Sequence, residues 1–168
     1  FTDAFAELEQ QRLESEASAE LDSYYRDTFA TALADATGED VDGSAFAPRS
    51  EAQRYLQYHY VIPYDSWEEA VRTDDAGDGS AWSAAHARYH DYYREMTDLQ
   101  DFEDVLMLDT EGNVIYTAFK GVDLGTNLLT GPYRLSNLAD AYREAMARNI
   151  VGDVVIADFA AYSPSLGN

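Results

Sequence analysis

The chain has 168 residues, 32 acidic side chains against 11 Lys and Arg, a formal net charge of −21 and no cysteine. Such a surface repels nucleic acid and anionic lipid, which are held by clustered basic residues, so neither is expected as a partner. Disulfide and thiol chemistry are excluded with the cysteines.

A hydrophobic share of 46% is enough for one domain with its own core. No apolar run approaches the ~18 residues of a membrane span, and no signal-peptide pattern stands at the start. Ten of the basic residues are Arg, and the sole lysine is Lys120. An acidic surface poor in lysine suits salty surroundings.

Residues 1–36 read as helix. Leu21, Tyr24, Tyr25, Thr28, Phe29, Ala32, Leu33 and Ala36 recur at helical spacing. Ser15 is placed to cap a start and Gly38 to stop the helix, while Phe1, Phe5 and Leu8 carry the theme through the first segment. Residues 38–49, rich in Gly, Asp, Ser and Pro, predict a surface loop. Ser50-Glu51-Ala52-Gln53 has the form of a capping box and opens a short helix with Tyr55, Leu56 and His59, which Pro63 closes. Ser66-Trp67-Glu68-Glu69 opens a second short helix in the same way. An acidic glycine turn, Asp74 to Gly79, leads into a helix from about Ser83 to Met96, started by Ser80 or Ser83.

Residues 101–137 are the centre of the chain. Val105 to Leu108 form an apolar run of the type that makes a strand buried on both faces. Asp109 to Asn113 supply a turn in which Gly112 and Asn113 tolerate positive φ. Val114 to Phe119 supply a β-branched and aromatic return strand. The expected class is therefore α+β: an antiparallel sheet flanked by helices, with a long N-terminal helical segment. An irregular loop with Gly125, Thr126, Asn127, Gly131 and Pro132 follows. Ser136 caps a helix that buries Leu138, Ala141, Tyr142, Ala145 and Met146, and Gly152 breaks it. Val154, Val155, Ile156 and Phe159 read as a third strand, interrupted by Asp158.

His86 and His90, one turn apart, have zinc-chelating spacing. Ala87 stands where the metalloprotease motif needs Glu, and no third ligand is visible. The Asp74–Gly79 turn fails the calcium-loop template at Ala76. No metal or cofactor is expected. No Ser-His-Asp order, nucleophile elbow, dinucleotide fingerprint or phosphate loop appears, so this chain is not expected to be an enzyme by itself. Tyr89, His90 and Tyr93 make an aromatic strip that either packs on the sheet or lines a pocket. Lys120 and Asp123 form either a surface ion pair or, through Lys120, a contact to a ligand carboxylate.

Four segments have a familiar wording: Tyr55–Tyr60 (YLQYHY), Asp74–His90 (DDAGDGSAWSAAHARYH), Tyr116–Asn127 (YTAFKGVDLGTN) and Asp158–Ser165 (DFAAYSPS). Together they resemble the PAS-like (PDC, or Cache) extracytoplasmic sensor domains of bacterial transmembrane receptors, above all those that precede class III adenylate/guanylate cyclase domains in actinobacteria. The resemblance covers most of residues 53–168 and leaves residues 1–52 as an N-terminal helical segment. It implies a homodimeric domain on the outer side of the cell membrane, tethered through segments outside this chain. It also implies a small-molecule ligand, such as an amino acid or carboxylate. The output would be a cytoplasmic nucleotide cyclase, with a histidine kinase or chemoreceptor as the alternative. The family sheet has two further strands beyond the last residue here. The implied pocket lies between the sheet and its helical cover, with Tyr89, His90, Tyr116, Lys120, Tyr133, Asp158 and Tyr162 as candidate ligand contacts. The competing expectation is a protein-interaction domain whose sheet is filled by its own aromatics.

Overall fold

The computed structural model describes residues 1–166. Helices α1 (Thr2–Leu8), α2 (Ser15–Ser23) and α3 (Ala30–Thr37) are followed by α4 (Glu51–Tyr60), α5 (Trp67–Ala70) and α6 (Ala81–Gln100). Strands β1 (Leu106–Leu108) and β2 (Val114–Thr117) form an antiparallel pair, and α7 (Asn137–Arg148) comes after it. The class is thus helices around a small antiparallel sheet.

Serine side chains start four of these helices. The hydroxyls of Ser50, Ser66, Ser80 and Ser136 accept the backbone N–H of Gln53, Glu69, Ser83 and Ala139, at 3.1, 3.3, 3.0 and 3.2 Å. Each satisfies an otherwise orphaned donor of the first turn. Ser15 does not act this way: α2 has Glu14 at its N-cap, with no side-chain cap bond.

The first 36 residues are not one helix. The chain turns between α1 and α2, and α1 folds back onto α4 and α6, burying Phe5 and Leu8. Tertiary burial outweighs the continuous helical pattern here. Between α2 and α3 lies a π-helical stretch, Tyr24–Phe29, which turns Tyr25 and Phe29 inward. Gly43 sits directly on this widened turn, and a Cβ there would lie 2.2 Å from the Tyr25 carbonyl oxygen. Gly38 ends α3 in the left-handed conformation expected of it, at φ +73°.

The core gathers residues from the whole length. Leu8, Leu21 and Tyr25 pack with Leu56, Tyr60 and Trp82, and these with Tyr116, Leu124 and Leu128. Trp82 Nε1 donates to the Ile115 carbonyl at 2.9 Å, tying α6 to β2.

The hairpin forms with Gly112 at φ +87°. Its register pairs Leu106 with Thr117, Met107 with Tyr116 and Leu108 with Val114, so a bulge falls near Ile115. The burial expected of β1 on both faces is not observed. β1 is only half-buried, whereas every residue of β2 is buried. The reason is the segment after β2. It doubles back beside the strand, with the Val114 N–H on the Thr126 carbonyl and the Gly125 N–H on the Val114 carbonyl, both at 2.8 Å. β2 is thereby the inner element and β1 the outer one.

The third strand does not form. Residues 154–160 are irregular, and Val154, Ile156 and Phe159 are exposed. β propensity expresses packing against neighbours, and no strand lies beside this segment among the described residues. Its carbonyls meet only side chains, Arg148 on Val154 and Asn137 on Asp158.

Candidate functional site

α5 and the residues after it, 67–74, form a strap along the middle of α6, at His86, His90 and Arg94, and over the exit of β2. Three buried side chains beneath it hold its backbone. Lys120 Nζ donates to the Ala70 carbonyl at 2.7 Å. His90 Nε2 lies 2.6 Å from the Val71 carbonyl. His86 Nδ1 lies 2.7 Å from the Asp74 carbonyl. A carbonyl only accepts, so each imidazole carries its proton on the nitrogen facing the strap. His90 Nδ1 is then the acceptor for the Tyr116 hydroxyl at 2.8 Å.

Helical spacing supplies the two imidazoles. His86 and His90 are one turn apart on α6 and stack at 4.2 Å between ring centres, next to Trp82. With their strap-facing nitrogens bonded to carbonyls, the rings act as clamps rather than a chelating pair. Among the described residues no group of three or more metal-ligating side chains gathers anywhere. In the Asp74–Gly79 turn, Asp75 and Asp78 accept the backbone N–H groups of Gly77 and Ser80 at 2.8 and 3.0 Å, an ordinary turn use of carboxylates.

Lys120 departs most from expectation. It is 2% exposed and makes no ion pair among the described residues. The surface pair with Asp123 is not formed, and the amine lies buried beneath the strap instead. The residue adopts φ +58°, and its N–H is held by Thr117 Oγ1 at 2.6 Å. A non-glycine residue in that region costs about 1 kcal/mol. The left-handed kink turns the side chain inward under the strap. Burial pushes the Lys120 amine down to about 7, with Asp74 opposing and Arg94 reinforcing the shift. Burial, then Lys120, lowers His90 to about 4 and His86 to about 2. Both imidazoles are therefore neutral at neutral pH.

Outside the strap is an open cleft of about 580 Å³. Trp67 and Phe119 meet edge to face at 5.1 Å on one side. Arg72 and Arg94 supply cations, and Glu68, Asp74 and Asp98 supply carboxylates. Arg94 reaches Asp74 at 3.3 Å, pairs with Asp91 and touches the Val71 carbonyl at 3.4 Å. It belongs both to the cleft and to the strap's support.

The seven candidate residues divide. His90, Tyr116 and Lys120 come together as one hydrogen-bonded cluster behind the cleft. Tyr133 and Tyr162 form a separate pair at 5.9 Å, beside Asp123, whose carboxylate accepts the Tyr162 hydroxyl at 2.9 Å. Tyr89 is 43% exposed and lies against Phe1. Asp158 is exposed, in a stretch where the expected third strand does not form, and its carbonyl accepts the Asn137 side chain. Sequence reasoning does not find Asp104 or Gln57, and it places Asp123 in a surface pair with Lys120, whereas the residue is buried against Tyr162. Burial raises Asp104 to about 7, although three backbone N–H groups, of Val105, Ala118 and Phe119, favour its charged form. Nothing local in the sequence marks that position. Gln57 was readable only as a buried polar residue one position off the apolar face of α4.

A scan of family models finds no match for the chain, and neither do searches of curated proteins and of solved structures.

Proposed function

We propose that the chain is an extracytoplasmic ligand-sensing module of a bacterial transmembrane signalling receptor, acting as a homodimer and regulating a cytoplasmic nucleotide cyclase. The cleft beside the strap carries this reading. It has room for a small molecule, an aromatic side at Trp67 and Phe119, and both charge signs within reach. An amino acid suits that mixture: its carboxylate meets Arg94 or Arg72, and its ammonium meets Asp98 or Glu68. The strap is the natural reporter, since occupation of the cleft bears on it directly and its other side touches β2's exit. The size of any response is bounded by the ligand's preference between two strap arrangements.

A protein-interaction role is the second reading, favoured by the exposed row Val154, Ile156 and Phe159. A thermal-shift panel of amino acids, carboxylates and polyamines separates the two. The sensing reading predicts that at least one class raises the melting temperature, by the equivalent of about 2.7 kcal/mol at a hundredfold excess over Kd. The gain disappears in Arg94→Ala and in Trp67→Ala, the latter lying off the clamp. Indifference of the wild type to the whole panel contradicts the sensing reading.

A further inference from the structure

We propose that residues 67–74 form a proton-gated strap, released when the buried amine of Lys120 takes up a proton that its surroundings have no acceptor for. His90 Nε2 lies 2.6 Å from the Val71 carbonyl and 3.1 Å from Lys120 Nζ. The carbonyl contact requires a proton on Nε2, because two lone pairs at that separation repel. Lys120 Nζ therefore faces an N–H, and only a neutral amine, with its own lone pair, is compatible with that neighbour. The same nitrogen donates to the Ala70 carbonyl.

A protonated Lys120 has donors only. Two outcomes are then open. His90 can shift its proton to Nδ1 and offer Nε2 to the ammonium, which leaves the Val71 carbonyl facing a lone pair. Alternatively, the ammonium can move outward toward Asp74, which breaks its bond to Ala70. Either way the strap loses one of the carbonyl bonds that hold it.

The groups facing Lys120 do not supply a compensating acceptor at bonding distance. α6 presents neutral His86 and His90, and also Arg94, which disfavours the charge. The strap presents Asp74, already paired with Arg94. Before β1 lies Asp104, occupied by backbone N–H groups, and β2 presents Tyr116, committed to His90. The amine's lowered proton affinity, near 7, puts the transition in a physiological range. The strap is latched above that pH and loosened below it. This inference does not rest on the ligand reading.

The single lysine makes the test unambiguous. Selective labelling of lysine with ¹³C and ¹⁵N gives one Cε–Nζ signal, followed by NMR from pH 5 to 11 alongside the backbone amides. The expected midpoint is about 7, in place of the ordinary ~10.4. The amide shifts of residues 71–75 move at the same midpoint. Hydrogen exchange of the Arg72 and Thr73 amides, which bond to Glu69 and Ala70, is expected to rise roughly tenfold between pH 8 and pH 6 after correction for intrinsic rates. Lys120→Met removes the step. A lysine still charged above about pH 9.5 overturns the proposal, as do strap amides that stay still while Nζ titrates. The two wild-type curves decide the matter even if the variant fails to fold.

Discussion

Two places in this molecule solve the same problem with different chemistry. Near α4, the buried carbonyls of Val122 and Leu124 receive the Gln57 amide at 2.7 and 3.0 Å, while Gln57 Oε1 accepts the Tyr25 hydroxyl. Near α6, the carbonyls of Ala70 and Val71 receive Lys120 and His90. Both arrangements give buried backbone acceptors strong side-chain donors, although the Ala70 carbonyl also takes the Thr73 N–H at 3.1 Å and the Val71 carbonyl also meets Arg94 at 3.4 Å. Gln57 has no proton to gain or lose, so its clamp is fixed. Lys120 and His90 can change charge, so theirs is conditional. A carboxamide is the safer material for a permanent joint, and the use of ionisable groups beside the cleft marks the joint that moves.

The largest effect expected from this contrast is at the fixed joint. Gln57→Leu leaves the Leu124 carbonyl without its donor and the Val122 carbonyl and Tyr25 hydroxyl with only their mutual 3.5 Å contact, and at about 1–3 kcal/mol for each poorly satisfied group the loss should be about 4 kcal/mol. Urea unfolding measures it, and the loss should be the same at pH 6 and pH 9. A loss under about 1 kcal/mol would show that the joint carries little.

The conditional joint should show itself as pH dependence. The folded Lys120 sits near 7 and the unfolded side chain near its ordinary value. Between those points the unfolded chain binds the extra proton, so this residue makes stability rise with pH across that window. Below pH 7 both states are charged and the penalty is constant. The rise, taken as wild type minus Lys120→Met, should reach about 3 kcal/mol between pH 7 and pH 10. A flat difference would place the ammonium in contact with water.

A smaller effect sharpens the first joint. Gly125 has φ +79°, and a Cβ there would lie 2.7 Å from the Gln53 Cα. Gly125→Ala should cost about 2 kcal/mol through backbone strain and a push on α4. The same unfolding series checks it.

The smallest effect belongs to the C-terminal stretch. Phe159→Ser removes a side chain that is 104% exposed, and should change monomer stability by less than about 0.5 kcal/mol. A large loss would mean that this segment is packed in solution.

What was legible in the sequence was local. Ser50, Ser66 and Ser136 cap helices because a cap needs only its own next three residues. The hairpin turn at Gly112 and the stop at Gly38 are local in the same sense. The cap expected at Ser15, where Glu14 takes the N-cap position, is a local misreading; the larger ones are non-local. The wrapping of residues 124–128 on β2 decided which strand is inner. The fold-back of α1 broke the N-terminal helix. Val154 to Phe159 has strand composition and no neighbour to pair with. Lys120 stands out in the sequence as the sole lysine, but its burial depends on a positive φ that composition does not reveal. Of the seven candidate ligand contacts, His90, Tyr116 and Lys120 meet because helix phase and the strand's end bring them together. Asp158 lies exposed in the stretch where the expected third strand is absent.

Amide chemical-shift mapping across the panel of amino acids, carboxylates and polyamines tests the central claim most directly. The account predicts that a binding compound moves the signals of Trp67, Val71, Arg72, Arg94 and Phe119 together, and leaves Leu8 and Leu21 still. If every compound leaves the strap and Arg94 unmoved, or the shifts gather at residues 154–159 instead, the cleft is not the sensing site.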